Sequence, residues 1–186
     1  DSNLKGQFTC TRLALPIMKA KGWGRVINIS SRVGLHGLTG MTVYAAAKAG
    51  IMGLTFALAL ELRGTGITAN CVSPTANTVR SERTRDARAA ATGGHRLDPS
   101  PLQTPEHIAP ICVYLATEET AGITGQIFYA TGGEVTLYKG PWPEKSIRKD
   151  SKWSLDELST AFPKAFGTEL DLIPAGEMKA WSPSDE

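Results

Sequence analysis

Cysteine is scarce in this chain, and its three copies are scattered. Cys10, Cys71 and Cys112 form no CxxC pair and no His/Cys cluster with zinc-ligand spacing. Neither a disulfide framework nor a metal site is expected, and a reducing, cytoplasmic setting fits. Charge of one sign is also missing. The formal net charge is +2 and no block of like charges forms a basic arm, so no nucleic-acid partner is expected. No apolar run reaches the roughly 18 residues of a membrane helix, so no membrane partner is expected either. The opening DSNLKGQF lacks the basic start and apolar run of a signal peptide. Repeats and low-complexity tracts are absent. There is no initiator Met, and the chain opens directly in helical-looking sequence, which suggests a fragment.

What remains is an ordinary globular composition in 186 residues, the length of one domain. Residues 3–20 place Leu4, Phe8, Leu13, Leu15 and Met18 on an approximate helical face, with Pro16 expected to bend or interrupt it. RVINIS (25–30) reads as a buried strand, and the Gly-rich SRVGLHGLTG (31–40) as loop. Residues 42–63 form the clearest helix, ended by GTG. ITANCVSP (67–74) is a second strand, followed by a long polar segment without periodicity. TPEHIAPICVYLATEE reads as one helix with Thr104 as N-cap and Pro105 at its first position. TGQIFYATGG (124–133) is a third strand. WSLDELSTAF carries a capping-box pattern at Ser154 and Glu157, and the terminal WSPSDE reads as frayed. Strands alternating with helices predict a parallel α/β sheet.

The chemistry-bearing stretch is YAAAKAG. Tyr44 and Lys48 stand four apart, on one face of a helix. A free tyrosine has a pKa of about 10, and a cation one turn away favours its phenolate. Such a tyrosine can exchange a proton with a substrate oxygen near neutral pH. A bare YxxxK is more often a packed tyrosine beside a solvated lysine. The context reverses that weighting: a strand ends in NISS, a Gly-rich loop follows, then the tyrosine helix. Functional side chains of α/β proteins sit at such strand ends. A serine hydroxyl there can bond a carbonyl oxygen as negative charge develops on it.

The series GRVINISS, YAAAKAGIMGLT, LALEL and GITANCVSP resembles the short-chain dehydrogenases/reductases, from Asn3 to about Gly133. The resemblance implies a Rossmann-type, doubly wound parallel sheet and an NAD- or NADP-dependent oxidoreductase acting on an alcohol/ketone pair. It implies a tetrad of Asn3, Ser31, Tyr44 and Lys48. Tyr44 would be the general acid/base and Lys48 its partner, also holding the nicotinamide ribose. Ser31 would polarise the carbonyl, and Asn3 would support a proton relay. Pro74, Thr75 and Thr78 fall where family members meet the nicotinamide end of the cofactor. The helix opening at Asn3 and the YAAAK helix would pack against their copies in a homo-dimer or homo-tetramer.

The Gly-rich first turn of the family has no counterpart here, so the chain is expected to hold only the second half of the fold. Residues 1–133 would be the catalytic half, and 134–186 an extension with a strand and a short helix. That tail is similar to those of (3R)-hydroxyacyl-CoA dehydrogenases, so 3-hydroxyacyl thioesters join steroids as candidate substrates. Arg80, Arg83, Arg85, Arg88 and Arg96 read first as a solvated loop and second as contacts for CoA phosphates. His36 reads as a substrate contact or an exposed loop residue. The alternative to an enzyme is a truncated, non-catalytic chain acting as an oligomerisation or interaction module.

Overall fold

The computed structural model describes residues 2–92, 100–139 and 146–167. The chain divides into two compact units, residues 1–140 and 141–186. The first unit holds helix α1 (Ser2–Lys21), strand β1 (Gly24–Ile29), the short helix α2 (Val33–His36), and α3 (Thr42–Glu61). Strand β2 (Ile67–Pro74), α4 (Val79–Thr92), a 3-10 turn (Pro105–His107), α5 (Ala109–Leu115), β3 (Ile127–Thr131) and β4 (Glu134–Tyr138) follow. In the second unit, α6 (Leu155–Phe166) begins with the expected capping box of Ser154 and Glu157.

The sheet runs β1-β2-β3-β4. β1, β2 and β3 are parallel, and β4 returns antiparallel through the Gly132–Gly133 turn. Every residue of β2 up to Ser73 is buried, as expected of a parallel strand covered on both faces. On one face, Val26, Ile67 and Ala69 pack against Leu58 of α3 and Leu62 just past its end, with Leu15 and Met18 of α1. Cys71 and Ile127 continue that layer against Ile51 and Met52. On the other face, Val72 and Ala130 meet Ile108 and Leu115. Helices therefore cover both sides of a parallel α/β sheet. The turns that enter β1 and β2 nearly touch: a Cβ on Gly66, at φ +75°, would lie 2.0 Å from the Gly22 carbonyl oxygen.

Several expectations are corrected. Pro16 lies inside α1 without ending it, its ring on the exposed side while Leu15 and Met18 anchor the helix to the core. The 31–40 loop contains a helical turn, closed by the Gly34 and Leu35 amides donating to the Ser31 and Arg32 carbonyls. The polar segment after Asn77 is helical. Its start is closed reciprocally, with the Ser81 amide donating to Thr78 Oγ1 and the Thr78 amide to Ser81 Oγ. Arg85 there is not solvated: it donates through Nη2 to the Asn77 side chain. Arg96 and the terminal WSPSDE lie outside the described residues. The helix after Thr104 is split, because Pro110 has no N–H to continue an α-helix across the 3-10 turn. Thr104 sits at the N-cap position, but its hydroxyl bonds His107 Nδ1 at 2.9 Å instead of capping an amide.

By length and composition α3 could cross a membrane, with a mean hydropathy of 1.6. Here it packs on the sheet and buries Lys48, Ile51, Met52, Thr55, Leu58 and Ala59, as a core helix does.

Candidate active site

The site is built where β1 ends against the first turns of α3. Asn28 and Ser30 point toward α3 and are buried. Asn28 donates to Thr55 Oγ1 at 3.0 Å, and Ser30 Oγ donates to the Lys48 carbonyl at 2.7 Å. Ser31, next in the chain, is half-buried. Its hydroxyl accepts the Val33 amide at 3.3 Å and donates to no acceptor among the described residues. The two serines thus divide: Ser30 ties strand to helix, and Ser31 keeps a free proton.

The turn carrying Ser31 is seated by Gly34. A Cβ at that position would come within 2.7 Å of the Lys48 carbonyl carbon and the Ala49 nitrogen. The α2 backbone therefore lies directly on the backbone of α3, opposite Lys48.

Lys48 itself is only 7% exposed. Nζ donates to the Ile29 carbonyl at 3.0 Å and stands 5.6 Å from the centre of the Tyr44 ring. Burial pulls its pKa down, and the charge of Arg80 does so further. Cys71 acts in the opposite sense only as a thiolate. Burial pushes that thiol up to about 11, so at neutral pH it gives Lys48 no counter-charge. The lysine is thus a desolvated cation beside the tyrosine, not a solvated surface pair.

Asn3 and Tyr44 both line a cleft of about 710 Å³ between α1 and α3, with Leu4, Phe8 and Leu54. Sequence reasoning missed Gln7. Its Oε1 accepts the Ile29 amide at 3.1 Å, and its Nε2 donates to the Ile29 carbonyl at 2.9 Å. Nε2 also reaches the Asn3 carbonyl at 3.4 Å. The Ile29 carbonyl is therefore shared by Gln7 and Lys48. The available signal was position: Gln7 stands one helical turn after Asn3, on the same face.

Pro74 closes β2. The Thr75 amide donates to the Ala130 carbonyl at 2.8 Å, and its carbonyl accepts Thr131 Oγ1 at 3.1 Å. Thr78 is occupied in the α4 cap. Ser73 Oγ is buried without a hydrogen-bond partner. Amine, hydroxyl and backbone groups around the carboxyl ends of parallel strands suit a ribose and a carboxamide. Among the described residues, no strand leads through a G-x-G-x-x-G turn into a helix to take a pyrophosphate.

The chain thus has a parallel α/β sheet covered by helices on both faces, with serine, tyrosine and lysine at one strand end. The family described as Enoyl-(Acyl carrier protein) reductase matches residues 1–134. A 3-oxoacyl-acyl-carrier-protein reductase of Thermotoga maritima is 36% identical over 133 residues, 72% of this chain and 54% of that protein. A hydroxyacyl-CoA dehydrogenase of Mycobacterium tuberculosis is 35% identical over 166 residues, covering 84% of this chain and 51% of that protein. The crystal structure of a short chain dehydrogenase from Mycobacterium avium superposes with a TM-score of 0.72 at 30% identity, over 92% of this chain and 55% of that one. The chain belongs to the short-chain dehydrogenase/reductase family. It spans about half the length of the curated relatives it matches.

Proposed function

We propose that the protein interconverts a secondary alcohol and a ketone with NAD or NADP, acting on 3-hydroxyacyl or 3-oxoacyl substrates. The observation that carries this reading is the desolvated Lys48 beside Tyr44, with the free Ser31 hydroxyl at the adjoining strand end. The substrate class rests on the names of the relatives, an oxoacyl reductase and a hydroxyacyl-CoA dehydrogenase.

When bound, the nicotinamide would supply or accept the hydride. Lys48, Tyr44, Pro74, Thr75 and Thr78 are the residues that would hold it. Ser31 donates to the carbonyl oxygen. Tyr44 delivers the proton to that oxygen in reduction and removes it in oxidation. Lys48 sets a positive charge beside the ring on which negative charge develops. Gln7 meets Lys48 at the Ile29 carbonyl and holds the amine in place, and Asn3 would support a water-linked relay behind Lys48 that replaces the proton.

The outer face of α1 and α3 is apolar, with Leu13 71% and Val43 86% exposed. A second copy of the chain would cover it, giving a homo-dimer or homo-tetramer. The same face supports the second reading, a non-catalytic interaction module. Free Cys10, Cys71 and Cys112 fit a cytoplasmic setting.

The test is reduction of acetoacetyl-CoA with NADH and NADPH by the protein and by its Tyr44→Phe variant, alongside calorimetric titration of both cofactors. Loss of turnover with cofactor affinity retained is the expected result. Near-normal turnover in Tyr44→Phe would remove the tyrosine from its role. Cofactor binding and turnover both absent in the parent protein would leave the interaction module.

A further inference from the structure

Beside Ser31 the structure holds a cation that the proposed reaction leaves unused. The Arg32 guanidinium carbon lies 4.1 Å from the centre of the Tyr129 ring. Tyr129 is 4% exposed, and its ring meets Tyr138 edge-on at 6.4 Å and 89°. Tyr138 in turn packs on the Ile51, Met52, Cys71 and Ile127 cluster and against the His36 ring at 5.8 Å. The platform under Arg32 is therefore fixed from the sheet and from α2. The Arg32 side chain makes no hydrogen bond or ion pair among the described residues, and no carboxylate joins the cluster.

A guanidinium held over a ring and bonded to nothing else has N–H donors left for a ligand. Most exposed arginines must lose rotamer freedom to bind an anion. One already held on a buried ring has less to lose. The donors belong to the residue that follows Ser31 in the chain, so the two side chains leave Cα atoms about 3.8 Å apart. A carboxylate a few bonds from the ketone falls in that range. The phosphates of a CoA-type carrier, at the far end of a pantetheine arm, do not.

We infer that Arg32 is a specificity-determining residue that receives a carboxylate carried by the substrate close to its ketone. This rests on the reading of Ser31 as the carbonyl-polarising group. The inference selects free 3-oxo acids, or acyl chains bearing a second carboxylate, among the substrates that reading admits.

The experiment compares acetoacetate with its neutral methyl ester and with acetoacetyl-CoA, each assayed for kcat/KM with NADH and NADPH, in the parent protein, Arg32→Leu and Arg32→Lys. Arg32→Leu is expected to lower kcat/KM for acetoacetate by roughly ten-fold or more relative to the ester, as expected for a lost charge-assisted bond. Arg32→Lys keeps the charge without the planar fork and should fall between. An equal loss on both substrates would make Arg32 only a strut for α2 and overturn the inference. A loss confined to acetoacetyl-CoA would assign the charge to a carrier phosphate and overturn it as well. A parent protein that reduces none of these removes the proposed function. The inference is then decided by the Arg32 Nε–H resonance: a shift on adding acetoacetate but not methyl acetoacetate supports it, and no shift rejects it.

Discussion

The hydroxyl of Ser30 donates to the backbone carbonyl of Lys48 at 2.7 Å, while the hydroxyl of Ser31, one residue on, has no acceptor among the described residues. One serine ties strand to helix; its neighbour is the one we propose to act on the substrate. Ser30→Ala should lower stability by about 1–3 kcal/mol, because it leaves a buried carbonyl without that donor. Ser31→Ala should leave stability nearly unchanged and reduce kcat by roughly 100-fold, the usual loss for a donor to a developing oxyanion. Urea unfolding and steady-state assays of the two variants separate these effects. The reverse pattern would exchange their roles.

Gly34 predicts a second, purely steric effect. Its missing Cβ leaves the space in which α2 lies on the Lys48–Ala49 backbone. Gly34→Ala must push the two backbones apart and is expected to destabilise the protein by about 1–3 kcal/mol. It should also move Ser31 and lower turnover. Gly53→Ala is the control, since nothing lies within 4 Å of its Cβ position. Equal melting temperatures in the two variants would count against the close seating of α2.

Burial holds the Cys71 thiol at about 11 in the folded protein, against 9.0 as its ordinary value. Between those values the unfolded chain has lost the proton that the folded chain keeps. Folding stability contributed by this group is therefore full below pH 9 and falls as pH rises to about 11, by on the order of 2 kcal/mol. Lys48 acts in the opposite direction. Its folded pKa lies below 10.5, so stability rises with pH from that lowered value up to 10.5. Cys71→Ala should remove the alkaline decline and expose the rise. Denaturant midpoints measured from pH 8 to pH 11 in both proteins test this, and an unchanged decline in the variant would reject it.

The paired bonds between the Gln7 amide and the Ile29 backbone hold one end of β1 to α1. In Gln7→Leu the Ile29 amide loses its acceptor. Its hydrogen exchange should accelerate while amides of β2 keep their protection. Unaltered exchange at Ile29 would show that the side-chain amide is not what protects it.

The sequence was most informative where local geometry alone decides. ITANCVSP, with its flanking glycine turn, matches β2 from Ile67 to Pro74 residue for residue. The α6 capping box needs only Ser154 and a glutamate three residues on. It was least informative between Asn77 and Thr92, where charged residues and alanines conceal any apolar period. The missed start signal there was Thr78 with Ser81, a hydroxyl pair in place of the usual Ser/Thr and Glu. The helix after Thr104 is shorter than its apolar pattern suggests, because Pro110 breaks it five residues after Pro105 opens it.

Tyr44 and Lys48 were legible because a helix places residues four apart on one face, whatever surrounds it. The sequence by itself also determined that a serine-bearing strand end and a Gly-rich turn precede that helix. The burial of Lys48, the division between Ser30 and Ser31, the amide pairing of Gln7 with Ile29 and the seat of Arg32 on Tyr129 were decided by the tertiary structure. Each depends on groups brought together from separate elements: Ile29 from β1, Gly34 from α2, Tyr129 from β3. Periodicity reports only which face of an element is apolar. Desolvation of one amine, or the absence of an acceptor for one hydroxyl, depends on which atoms the rest of the chain places against it.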